Sequence, residues 1–131
     1  MKTELILKFV FEASHSLSGY EVPHPHIWKL KIGVLGDPVQ GMILNLVELR
    51  ASVQKTVDRL GGTYLNESTL VDDAVRAFPT CETLSVYFYR EVEKILSHEF
   101  RPSHPSVRLS FIEMALFDMN QNEFGATRLT L

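Results

Sequence analysis

Two stretches of alternation do most to limit what this chain can become. In residues 4–15, Leu5, Leu7, Phe9 and Phe11 share one side, with Lys8 and Glu12 on the other. In residues 26–35, Trp28, Leu30, Ile32 and Val34 oppose Lys29 and Lys31. A period of two is the mark of a half-buried strand, because successive side chains point to opposite faces of a sheet. The two stretches read as neighbouring strands, paired antiparallel. Gly36-Asp37-Pro38 supplies the turn that ends the second.

The pattern then changes to a helical one. Asn45 followed by Glu48 resembles a capping box, and Leu46, Leu49, Val53, Val57 and Leu60 recur at helical spacing until Gly61-Gly62. A loop is expected from Tyr64 to Phe78. A second helix follows Pro79-Thr80 and buries Leu84, Phe88, Val92 and Ile95. Val107, Leu109 and Phe111 begin a third strand, and Phe124 to Leu131 form a fourth. The order ββααββ predicts an α+β fold, a four-stranded antiparallel sheet with two helices on one face. No repeat or linker interrupts it, so residues 1–131 are read as a single domain with one core.

Composition excludes several classes of function. Apolar residues make up 45% and charged residues 22%, a balance that argues against a disordered chain. Thirteen basic against sixteen acidic residues give a net charge of -3, which is no footprint for nucleic acid. No basic run suggests a membrane surface, and no apolar stretch approaches the roughly 20 residues that span a bilayer. The N-terminus lacks the apolar run of a signal peptide, and the one cysteine, Cys81, can form no internal disulfide. A cytoplasmic protein is expected.

The residues that carry chemistry stand at the strand ends. His24 and His26 are two apart, so a strand points both to one face, in line with Trp28 and Leu30. His15 lies in line with Phe9 and Phe11 at the end of the neighbouring strand. If the strands form a hairpin, the three imidazoles converge. Three neutral imidazoles around a divalent ion leave a fourth position open, which is the arrangement of catalytic zinc. His98 and His104, near Pro102 and Pro105, read as ordinary loop residues.

With these residues in view, the sequence resembles the 6-pyruvoyltetrahydropterin synthase family, which includes the bacterial 6-carboxytetrahydropterin synthases of queuosine synthesis. Phe11-Glu12-Ala13-Ser14-His15 is similar to the family's first zinc motif, and His24-Pro25-His26 to its His-Gly-His. Gly41-Met42-Ile43-Leu44-Asn45 resembles the segment entering the first helix, where the family commonly has aspartate in place of Asn45. Pro79-Thr80-Cys81-Glu82 resembles the segment opening the second helix, and Glu113 stands where the family keeps a pterin-anchoring glutamate. The resemblance implies a tunnelling fold, in which three subunits join their sheets into a barrel and two trimers stack into a homohexamer. It also implies bound Zn2+, a small-molecule pterin substrate and active sites at subunit interfaces. Two open sheet edges are compatible with such assembly.

The sequence also departs from the family. Tyr20 stands where a cysteine usually serves as nucleophile or base, and Gly61-Gly62 where an Asp-His couple helps move protons. Pro25 replaces the glycine between the histidines, removing an amide donor and fixing φ. Cys81 belongs to a different motif and is read as a small buried residue or a reactive one. Glu21 is either a solvated loop carboxylate or the replacement base, as in a family branch where glutamate works near the metal and the product serves folate synthesis. Regular alternation puts Glu113 on the apolar face with Val107, Leu109 and Phe111, away from Arg108, where a carboxylate is costly unless a ligand pairs with it. A pterin's amino group and adjacent ring N–H offer such a pair of donors. Thr80 and Glu82 are expected to cap the helix, and in the family their backbone lines the pterin pocket.

This reading leaves two main functions, beside a third possibility that the site, remodelled in loops 16–25 and 61–78, accepts a different substrate. One is a zinc-dependent lyase acting on 7,8-dihydroneopterin triphosphate or a related pterin, by carbon–carbon cleavage or side-chain rearrangement, with Glu21 as the catalytic residue. The other is a non-catalytic zinc- and pterin-binding homologue that has lost its proton-transfer groups.

Overall fold

A computed structural model describes residues 3–17 and 21–131. Strands β1 (Thr3–His15), β2 (His24–Gly36), β3 (Arg108–Phe117) and β4 (Glu123–Thr130) lie in that order in one sheet, each antiparallel to its neighbour. Between β2 and β3 the chain forms α1 (Leu46–Leu60), the short α2 (Asp73–Ala77) and α3 (Cys81–Ile95). A π-helical turn, Leu96–Phe100, prolongs α3. No helix among the described residues is long and apolar enough to cross a membrane.

Period-two alternation in β1 and β2 builds the floor of the core. Leu7, Phe9, Phe11 and Ala13 pair across the ladder with Ile32, Leu30, Trp28 and His26. Their side chains meet Leu49, Val53, Val57 and Leu60 of α1 and Leu84, Phe88 and Val92 of α3 in one apolar cluster. Trp28, Leu30, Leu49 and Phe88 are fully or almost fully buried, and each such side chain contributes about 1.5–3 kcal/mol. Leu46, in the first turn of α1, is the exception to the expected stripe and stays exposed.

Caps set the helix starts. The Asn45 side chain accepts from the backbone N–H of Glu48, and Thr80 forms a reciprocal box with Thr83. The expected loop from Tyr64 to Phe78 contains a 3₁₀ turn, Leu65–Glu67, and α2, capped by Asp72. Five residues are too few for a helical period to stand out, and their stability comes from docking rather than propensity.

The strand alternation fails at one residue in β3. Val34 pairs with Leu109 and Gly33 with Phe111, so Ser110 is an extra residue, a β-bulge. One inserted residue exchanges the faces of every strand residue beyond it. Ile112 and Met114 therefore enter the core, while Glu113, Ala115 and Phe117 turn to the opposite face and, with Lys8, Lys29 and Lys31, line a cavity that Arg50 and Gln54 of α1 also border. Phe111 lies across Gly33, where a Cβ would come within 2.3 Å of its ring, and the Arg128 guanidinium sits 4.2 Å above that ring.

The edge of β1 is partly covered. Gly62 N–H donates to Glu12 O at 2.7 Å, Ser14 N–H to Thr63 O at 2.9 Å, and Arg50 to Lys8 O at 2.9 Å. Gly62 has φ +75°, a left-handed conformation that favours glycine. This segment laid against β1 is where the family resemblance places the Asp-His couple.

Candidate metal centre

His15 and His24 face each other across the β1–β2 ladder, and His26 lies one same-face step along β2. The three ring centroids are 4.8, 5.1 and 5.3 Å apart, with planes at 84–90° to one another. One nitrogen from each ring lies within 4.8 Å of the others. Trp28 forms the floor, its ring 5.2 Å from His15 and 6.3 Å from His26. The Trp28 Nε1–H donates to Ala13 O at 3.1 Å. His15 is buried, whereas His24 and His26 are half-buried, so the cluster opens on one side.

Hydrogen bonds fix which nitrogen of each ring is protonated. A carbonyl oxygen can only accept, so His15 donates its Nδ1–H to Pro79 O at 2.8 Å and His26 its Nδ1–H to Phe117 O at 3.1 Å. His24 donates its Nε2–H to Glu21 Oε1 at 2.7 Å. In the neutral rings, His24 Nδ1 and His26 Nε2 are then bare lone pairs, and they face each other at 3.2 Å. Two acceptors at that distance repel unless a cation lies between them. This donor set therefore fits a divalent ion, and three imidazoles with hydrogen-bonded second nitrogens suit zinc.

Electrostatics point the same way. Burial holds the His15 pKa below the usual 6.5, outweighing the bond to Pro79 that raises it, and the neighbouring His26 and His24 lower it further. A ring that resists protonation remains a donor to metal. Beyond Phe117, hydrogen bonds from Asn122, and also from Asn120, hold the Asp118 carboxyl below its ordinary value. Asp118 thus stays ionised in the turn between β3 and β4, which supports the backbone carbonyl that His26 uses.

Relationship to known proteins is decided by extent as well as motif. The family model described as 6-pyruvoyl tetrahydropterin synthase matches residues 4–116. The chain belongs to this family. It is 26% identical over 127 residues to the dihydroneopterin monophosphate aldolase of Pyrococcus furiosus, covering 95% of this chain and 96% of that protein. Its fold is similar to the Caenorhabditis elegans 6-pyruvoyl tetrahydropterin synthase, with TM-score 0.70, 15% identity, and coverage of 99% and 97% of the two chains. A Plasmodium vivax 6-pyruvoyltetrahydropterin synthase altered from glutamate to alanine at a catalytic residue gives TM-score 0.68 at 13% identity, covering 100% and 99%. The sheet and helices are those of the tunnelling fold.

Within this synthase-family fold, the other predicted residues fall in three places. Glu21 is at the histidine cluster, its Oε1 on His24 and its Oε2 accepting from Leu17 N–H at 2.6 Å. Thr80 caps α3 as expected, and the adjacent Pro79 carbonyl ties the helix start to His15. Glu82 does not cap: Thr83 completes the box, and Glu82 Oε1 accepts from Thr127 Oγ1 of β4 at 3.0 Å. Glu113 is not on the apolar face and not without a partner in the chain. The bulge turns it outward, where Lys31 Nζ lies 3.3 Å from Oε2 and Arg128 3.1 Å from Oε1. Cys81 is half-buried against the core, and burial pushes its thiol up to about 11, which keeps it protonated at neutral pH. Tyr20 lies outside the described residues.

Several site features carry no motif. The carbonyls of Pro79 and Phe117 are backbone acceptors that any residue could supply. Ser16 is clasped by Asn66, which accepts from its N–H at 2.9 Å and donates to its C=O at 2.8 Å, and by the Tyr64 hydroxyl at 2.7 Å. The clasp joins the start of the β1–β2 connection to the 3₁₀ turn. Phe124, largely exposed at the start of β4, sets its ring 5.7 Å from His26.

Proposed function

We propose that the chain is a zinc-dependent lyase that cleaves the side chain of a 7,8-dihydroneopterin phosphate, with zinc held by His15, His24 and His26. The observation that carries the reading is the pair of facing lone pairs on His24 and His26, with His15 beside them. Bound zinc supplies Lewis-acid stabilisation of negative charge developing on the substrate side chain. The similarity to an aldolase along nearly the whole chain favours carbon–carbon cleavage over rearrangement.

Such cleavage removes a proton from the 2′-hydroxyl and breaks the C1′–C2′ bond. The electron pair passes into the C6=N5 imine of the ring, and a proton returns to C1′. Glu21 is assigned the proton transfer, since its carboxylate already lies on a histidine of the cluster. Both its oxygens accept hydrogen bonds, from Leu17 N–H and His24 Nε2–H, which hold the carboxylate at the cluster. Thr80 sits beside the His15 anchor at Pro79, which supports a pocket wall at Thr80 to Glu82.

Glu113 is assigned to the pterin's amino group and ring N–H. It pairs with Lys31, five residues along β2 from His26, or roughly 16 Å of strand, and it faces the opposite side of the sheet. One chain therefore cannot present Glu113 to its own histidines, and the anchor in each site is taken from a neighbouring chain. This supports the trimer-based homohexamer that the resemblance implies.

Mass spectrometry of products after incubating zinc-loaded protein with dihydroneopterin monophosphate or triphosphate tests the reading. A hydroxymethyldihydropterin and a two-carbon aldehyde phosphate are expected from the monophosphate. A second reading, a pterin-binding homologue without turnover, is favoured by Gly62, which offers no side chain where a proton-transfer couple is expected. Tight pterin binding with no product from either substrate would establish that second reading.

A further inference from the structure

Each histidine of the cluster has one nitrogen tied down, and one of the three ties differs in kind. His15 and His26 are tied through Nδ1 to backbone carbonyls, which leaves Nε2 of each for a metal. His24 is tied through Nε2 to a carboxylate, which leaves Nδ1. We infer that Glu21 positions His24 for metal binding, so that the donor set is mixed: Nε2 of His15, Nδ1 of His24 and Nε2 of His26. The inference rests on the metal reading above and adds to Glu21 a role separate from proton transfer.

The geometry argues against the other ring orientation. A half-turn of the His24 ring would exchange each nitrogen for a carbon, losing both the 2.7 Å bond to Glu21 and the approach to His26. Glu21 is itself held, because Leu17 N–H donates to its second oxygen. Val22-Pro23 joins it to His24, and Pro23 restricts the backbone between them. The carboxylate thus reaches His24 from a short, braced loop. A carboxylate on the far nitrogen of a ligating imidazole also raises the basicity of the near one.

Two measurements test this without reference to turnover. Long-range ¹H–¹⁵N correlation of the metal-free protein at about pH 8, above the histidine range, should show His24 protonated on Nε2 and the other two on Nδ1. Zinc competition against a chromophoric chelator should show about 10–100-fold weaker binding in Glu21→Ala. Glu21→Gln keeps an acceptor oxygen and should recover part of that loss. If Glu21→Ala folds poorly, the parent's tautomers and Glu21→Gln carry the test. Unchanged zinc affinity in Glu21→Ala, or His24 protonated on Nδ1, would overturn the inference and leave the zinc lyase standing. A parent protein that binds no zinc would overturn both.

Discussion

His15 donates its Nδ1–H to the carbonyl of Pro79, 64 residues further along the chain. Burial, working against this bond, holds the ring neutral, and the acid behaviour of the metal-free protein should reflect it. Unfolded, the ring takes a proton near pH 6.5; folded, it does so only at lower pH, chiefly because of burial. The stability that His15 contributes is present above about pH 6.5 and is lost as the pH falls through the lower, folded value. Urea midpoints of the metal-free protein should drop across that window, and His15→Gln should flatten the decline. An identical acid limb in both proteins would show that His15 does not govern it.

Zinc content should be about one ion per chain, at Zn–N distances of roughly 2.0–2.1 Å. His24→Ala removes the ring that faces both His15 and Glu21, and should abolish binding measured by metal analysis after dialysis. Full occupancy in a variant lacking all three histidines would place the metal elsewhere.

Glu113→Ala should weaken pterin binding by about 1.5–3 kcal/mol, the range for a hydrogen bond to a charged group. Because Glu113 and the histidines face opposite sides of one sheet, defects in them should complement. Unfolding and refolding a mixture of His24→Ala chains and Glu113→Ala chains, assayed at a substrate level where each alone is impaired, should restore part of the parent activity. No recovery in verified mixed oligomers would mean that each site is built within one chain.

Gly33→Ala tests the outer face. The added methyl must displace the Phe111 ring, which is itself covered by Arg128. A loss of about 1–3 kcal/mol is expected in denaturant titration. A neutral result would mean that the ring swings aside freely.

The hairpin and its three converging histidines are legible in the sequence because a period of two carries orientation from one end of a strand to the other. The same logic fails for Glu113. The bulge at Ser110 reflects how β3 lies against Gly33 and Val34, a pairing between distant segments that leaves no local pattern. A place in the first turn of α3 suggests a cap at Glu82, but Thr83 competes for that bond and β4 offers Glu82 a partner. The ties at Pro79 and Phe117 are invisible because a backbone carbonyl has no sequence signature. Glu21 is visible as a candidate, although its bond to His24 depends on the path of the loop.

The anchors of the histidine cluster also bear on the order of folding. His15 is tied to the lead-in of α3, and His26, 91 residues from its partner, to the end of β3. The hairpin alone can bring the rings together and tie His24 to Glu21, but it cannot set the tautomers of His15 and His26; those wait until α3 and β3 have docked. A complete site is therefore a late event in folding and a poor nucleus for it. Interactions absent from the transition state act on the escape from the native state. A metal held here would slow unfolding and leave the refolding rate nearly untouched, serving as a lock on the finished fold.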